Sequence, residues 1–127
     1  MSAIHWFEIP VTDIHRAVKF YNNVLNTEIP VVDMSAEMGS MLGMLPPRDG
    51  AGGALVQNSQ HGYVPSAQGT MVYLVMDGDL NEALGRVEPA GGSVILPKTP
   101  LGGNQGGGFI CWINDTEGNK VGLFSKQ

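Results

Sequence analysis

The chain has 127 residues, 43% of them hydrophobic and 15% charged, with a net charge of −5. That length suits one domain with a core of its own, and every apolar run falls short of the ~20 residues that a membrane span needs. The seven Lys and Arg residues are scattered and leave no basic track for phosphates, so neither nucleic acid nor a membrane is an expected partner. The opening MSAIHWFEIP has neither a basic leader nor a signal-type apolar segment, and the lone Cys111 permits no internal disulfide. Both features lead us to expect a cytoplasmic protein.

Residues 4–11 alternate and are rich in β formers, which predicts a strand with Trp6, Glu8 and Pro10 on one face and His5, Phe7, Ile9 and Val11 on the other. Thr12 or Asp13 then offers an N-cap oxygen, and Ile14, Ala17, Val18, Tyr21, Val24 and Leu25 recur at helical spacing. Short strands are predicted at 28–33, 39–45 and 53–57, divided by a Met-rich patch and by the turn signal ProProArgAspGly at 46–50. Residues 58–69, NSQHGYVPSAQG, read as a polar connector. A strand at 70–76 and a helix at 79–87 follow, the helix burying Leu80, Ala83, Leu84 and Val87 and stopping at Pro89, Gly91 and Gly92. Strands at 93–96, 108–114 and 119–124 complete the chain, the last two joined by a hairpin turn at AspThrGluGlyAsn, 115–119.

The order of elements repeats. VTDIHRAV at 11–18 returns sixty-six positions later as DGDLNEAL at 77–84, matching Asp13 with Asp79, Ile14 with Leu80, Ala17 with Ala83 and Val18 with Leu84. The fold expected is α+β, with βαβββ occurring twice in a single domain spanning 1–127: module one at about 3–57, a linker at 58–69 and module two at about 70–126. A repeat this long is a duplicated module rather than a solenoid, and the cleft between two such halves is where a small molecule would bind.

Several motifs carry less than they first suggest. The glycine cluster GGNQGGG at 102–108 precedes a strand and lacks the Lys and Ser/Thr of a phosphate loop, so it reads as a loop able to cover the cleft. Cys111 sits mid-strand as a buried thiol, His15 on the solvent side of the first helix, and His61 in the connector as a surface residue or a contact at the rim of a ligand site. Trp6 and Glu8 stand out because period two places them together. They would be a stacking surface and a carboxylate if their face lines the cleft, or a core Trp and a solvated Glu if it does not.

IPVTDIHRAVKFYNNVL at 9–25, GlyGlySer with ValIleLeuProLys at 91–98, and NDTEGNKVGLF at 114–124 together resemble the vicinal oxygen chelate superfamily. That group includes glyoxalase I, extradiol dioxygenases, methylmalonyl epimerase, fosfomycin-modifying enzymes and bleomycin-resistance proteins. The resemblance implies a cup-like mixed sheet built from the two modules, and homodimers in which both chains can complete a cup. It also implies a divalent metal held by His and Glu at four strand positions. Here those positions carry Trp6, Val72 or Met71, Gly122, and a stretch at 50–60 whose one useful carbonyl is that of Gln57. The resulting expectation is a protein without metal or other cofactor that binds a small organic molecule, as a sequestering protein does, with Trp6, Glu8, Tyr73 and Trp112 as ligand contacts. The alternative is an enzyme: a lyase, isomerase or dioxygenase with atypical ligands such as His5, Gln57 and His61, or one using Glu8 as acid or base.

Overall fold

The computed structural model describes residues 3–48, 50–102 and 107–127. Its elements run β1 (Trp6–Pro10), α1 (Ile14–Leu25), β2 (Val31–Met34), α2 (Ser35–Met38), β3 (Ser40–Arg48) and β4 (Ala51–Gln57), then β5 (Tyr73–Val75), α3 (Leu80–Val87), β6 (Ser93–Pro100), β7 (Phe109–Asn114) and β8 (Lys120–Ser125). They form two four-stranded mixed sheets in the orders β1-β4-β3-β2 and β5-β8-β7-β6. In each, the strand before the long helix pairs in parallel with the last strand of its half, and the other pairings are antiparallel. Each half is thus a βαβββ unit. Among the described residues no hydrogen bonding joins the two sheets, and no helix is long and apolar enough to cross a membrane.

Both long helices follow from their sequences. Asp13 caps α1 by accepting the Arg16 N–H, Asn26 closes that helix with φ 52°, and Asp79 caps α3 by accepting the Asn81 N–H. Their apolar stripes meet in one core shared by the halves, with Phe20, Tyr21 and Val24 from α1, Leu80 and Val87 from α3, and Ile9, Leu55, Ile113 and Leu123 from the sheets. Ala17 and Ala83 occupy matching fourth positions of their helices and are both buried.

Two segments differ from their sequence reading. Pro46 and Pro47 lie within β3 rather than in a turn, where a register shift between Leu45 and Arg48 removes the need for ladder donors. The edge strand β6 likewise runs on through Pro97 to Pro100 past two register shifts. In the Met-rich patch Asp33 Oδ1 accepts from the Ser35 N–H and hydroxyl, starting the one-turn α2.

The repeat also contains a slip. Val11 N–H donates to Val56 O in the first half and Met76 N–H to Phe124 O in the second, so these strands correspond with an offset of sixty-five, one fewer than the helices. The AspGlyAsp turn at 77–79 absorbs the extra residue. In this register Glu8 corresponds to Tyr73 and Trp6 to Met71, which settles the choice between Met71 and Val72.

AspThrGluGlyAsn is more than a hairpin turn. Glu117 Oε1 accepts the N–H groups of Thr12 and Asp13 at 2.9 Å each, and the Arg16 guanidinium pairs with the same carboxylate at 2.6 Å. Burial alone would raise this carboxyl, but the bonds from Arg16, Asp13, Thr116 and Thr12 outweigh it and lower the pKa to about 2. Asp115 accepts from the buried Tyr21 hydroxyl at 2.7 Å and from the N–H groups of Glu117 and Asn119. Asn119 in turn donates to Pro10 O at 2.8 Å. The hairpin of one half therefore latches the helix start of the other. At the matching place in the pseudosymmetric arrangement, Arg48 at the β3–β4 hairpin meets Asp77 in an exposed ion pair of 2.6 Å.

Burial, then the adjacent Asp115, raises Tyr21 well above the usual phenol range. A group raised on folding stabilises fully below its unfolded pKa, about 10, and loses that contribution as pH rises further. Alkaline unfolding curves should therefore steepen above about pH 10 in the wild type and flatten in Tyr21→Phe.

Candidate functional site

The helix-free face of the first sheet carries Trp6, Glu8 and Pro10 beside Gly52, Ala54 and Val56, with Met44 and Leu42 next to them. The neighbouring Gly43 faces the other way, since a Cβ there would stand 2.9 Å from Val18 of α1. Trp6 is 41% exposed, and its ring lies over Gly52. The indole Nε1 donates to Glu8 Oε2 at 3.2 Å, and the Tyr63 hydroxyl donates to Glu8 Oε1 at 2.6 Å. Donating this bond to Glu8, then desolvation and the charge of the carboxylate, raises the Tyr63 phenol above its ordinary range.

Tyr63 comes from the connector, which is not a free linker. Asn58 caps a 3-10 turn at Ser59–His61 by accepting the His61 N–H, Tyr63 N–H returns to Asn58 O, and Ser66 N–H reaches Asn119 Oδ1. These ties lower the tyrosine onto the sheet. Its sequence signal was a single aromatic in an otherwise polar stretch.

On the second sheet, Tyr73, Trp112, Lys120 and Phe124 share the helix-free face. Trp112 Nε1 donates to the Tyr73 hydroxyl at 2.8 Å, and the Lys120 ammonium stands 4.5 Å from the Trp112 ring centroid. The four residues singled out from sequence thus form two pairs, Trp6 with Glu8 and Tyr73 with Trp112, on separate sheets. His15 is exposed, and His61 is exposed with its ring Nδ1 3.1 Å from Asn58 Oδ1. Cys111 is buried in β7, where burial pushes its thiol up to about 11. Much of the 102–108 loop, residues 103–106, lies outside the described residues.

A divalent metal does not fit the residues present. In the observed register the superfamily's ligand positions fall on Trp6, Ala54, Met71 and Gly122, none of which offers a nitrogen or oxygen ligand from its side chain. At Gly122 the place is already filled, because a Cβ would stand 2.4 Å from the Tyr73 ring. The atypical set is also separated. Gln57 spends its carbonyl on the Ile14 N–H at 2.8 Å, on the helix side. His5 pairs with Gly52 at the far end of β4, roughly 16 Å away at ~3.3 Å per strand residue. Among the described residues no three His, Cys, Asp or Glu side chains are grouped to hold a metal.

A cavity of about 570 Å³ opens elsewhere, between the halves, walled by Phe7, Leu45, Tyr73 and Met76. Its polar rim is largely engaged within the protein, Arg48 with Asp77 and Arg86 with Val24 O. Acceptor capacity remains at Glu8 instead, whose carboxylate has about four lone-pair sites and receives two neutral donors. We therefore place the candidate site on the Trp6 face.

The profile described as "Glyoxalase/Bleomycin resistance protein/Dioxygenase superfamily" matches residues 3–123. No curated protein matches the sequence. Among solved structures, a glyoxalase/bleomycin resistance protein from Albidiferax ferrireducens T118 is similar at TM-score 0.68 and 14% identity, with 98% of each chain covered. A genomically encoded fosfomycin resistance protein from Listeria monocytogenes is similar at TM-score 0.66 and 13% identity, covering 98% of this chain and 93% of that one. Glyoxalase I from Zea mays is similar at TM-score 0.65 and 20% identity, covering 96% of this chain and 45% of that one. At such identities the structures speak for the fold, while the profile spans nearly the whole sequence: this chain belongs to the glyoxalase/bleomycin resistance protein/dioxygenase superfamily.

Proposed function

We propose that the protein binds a small organic molecule on its helix-free sheet faces without a metal, as a sequestering protein would, and that a second copy completes the cup. The observation that carries this reading is the Trp6, Glu8 and Tyr63 cluster, a stacking surface and a hydrogen-bonded carboxylate that, among the described residues, is not joined by the further His, Cys, Asp or Glu side chains a metal would need. The homodimer is supported by the open state of these faces in one chain, where Tyr73 is 42% and Val75 46% exposed. Acid or base catalysis through Glu8 is a second reading, favoured by the short bond from Tyr63.

Single replacements Trp6→Phe and Glu8→Gln test the proposal against whatever compound a thermal-shift screen returns. The expected result is affinity lowered about tenfold with stability changed by less than about 1 kcal/mol, because the lost partners are ligand atoms. Trp6→Phe destabilising by several kcal/mol with binding intact would make Trp6 a packing residue. Zinc or nickel should leave the melting temperature unchanged, whereas a metal at a hundred times its Kd would add about 2.7 kcal/mol.

A further inference from the structure

The two helix-free faces differ in how their charges are neutralised. On the second sheet a ring and a cation meet within the protein, Lys120 over Trp112. In the strand register the position of Lys120 corresponds to Gly52 on the first sheet, a residue without a side chain. There the Trp6 ring covers Gly52 and the carboxylate of Glu8 stands beside it. Both donors to Glu8, an indole N–H and a phenol, are neutral, so they orient the carboxylate and leave its charge in place. Among the described residues no Lys, Arg or His forms an ion pair with Glu8. Beside Trp6 the first sheet thus presents an aromatic ring and an oriented carboxylate that, among the described residues, no cation pairs.

Resting on the ligand-binding reading above, we infer that the ligand carries a protonated amine or quaternary ammonium group, held between the Glu8 carboxylate and the face of Trp6. An aromatic face attracts a cation through its quadrupole, and the neighbouring carboxylate adds direct charge attraction. The donors from Trp6 and Tyr63 fix the carboxylate before the ligand arrives, which reduces the ordering cost of binding. The chain's net charge of −5 also favours the approach of a cation.

Three soluble phenols of similar size test this: tyramine with a cationic tail, 4-ethylphenol with a neutral one and 4-hydroxyphenylacetate with an anionic one. Each is titrated into the full chain while the Trp6 indole N–H is followed by NMR, assigned with Trp6→Phe. Tyramine is expected to bind about tenfold more tightly than 4-ethylphenol, with 4-hydroxyphenylacetate weakest. In Glu8→Gln the tyramine affinity should fall about tenfold and its preference over 4-ethylphenol should be lost, while an unchanged melting temperature reports an intact fold. Equal binding of all three probes, or a tyramine preference that survives Glu8→Gln, overturns the cation inference and leaves ligand binding at this face standing. If no probe shifts the Trp6 signal, the inference falls together with the binding reading on which it rests.

Discussion

Replacing Glu117 with Ala should cost about 3 kcal/mol of stability, although the residue is far from the candidate site. Its carboxylate is wholly buried while its partner Arg16 is half-exposed, so on truncation the guanidinium can return to water. The amides of Thr12 and Asp13 at the start of α1 would both lose their acceptor. Orphaned donors of this kind account for most of the loss. The same group makes the fold acid-sensitive. A carboxyl lowered to about 2 contributes fully above its unfolded pKa and loses that contribution as pH falls toward the folded value. Over roughly pH 5 to 2 this amounts to on the order of 3 kcal/mol. Asp33, Asp77 and Asp79 are lowered too, but they are exposed and their contributions are screened. Urea unfolding at pH 7 and pH 3 should show Glu117→Gln weakened at pH 7 and with a flatter acid slope than the wild type. An unchanged slope would refute the assignment of acid lability to this carboxylate.

A second large effect is expected at Gly92. A Cβ there would stand 2.4 Å from Asn114 O and 2.7 Å from the ring of the buried Phe20. Asn114 is paired with Ser93 in the β6–β7 ladder, so its carbonyl cannot retreat without disturbing the sheet. Phe20 belongs to the other half, so it cannot move without disturbing the shared core. Gly92→Ala should therefore lose about 3 kcal/mol, or roughly 10 °C in Tm. Gly85, an exposed residue of α3 with nothing within 4 Å of an added Cβ, serves as the contrast. Gly85→Ala should gain about 0.5–1 kcal/mol, since alanine is the better helix former and narrows the unfolded ensemble. Differential scanning calorimetry of the two variants gives the comparison directly. If both shift Tm alike, the close approach does not govern Gly92.

Much of this architecture is legible locally. The helices declare themselves by period and cap, as at Asp13 and Asp79, and the repeat of those two segments was enough to imply duplication. Period two put Trp6 and Glu8 on one face, but which face that was stayed open in the sequence, and the burial of Ile9 and Val11 in the structure puts the pair on the side away from the core. Other features depend on residues distant in sequence. Glu117 meets Thr12 across 105 positions and Tyr63 meets Glu8 across 55, and neither spacing leaves a periodic trace. The turn signal at Pro46 and Pro47 misled because a bulged strand tolerates proline as well as a turn does. Helix matching alone left the second strand open between Val72 and Met71, since an extra residue in AspGlyAsp changes the register without altering the apolar pattern that follows.

The unequal junctions between the halves have a mechanical consequence. One end is closed by a buried network through Asp115, Glu117 and Asn119, the other by an exposed Arg48–Asp77 pair beside the open cavity. Separating the first requires stripping several buried polar groups at once, while the second is an ion pair already bathed in solvent. Separation of the halves is therefore expected to cost least at the Arg48 end, so amides beside Arg48 and Asp77 should exchange with solvent faster than those along the AspThrGluGlyAsn spine.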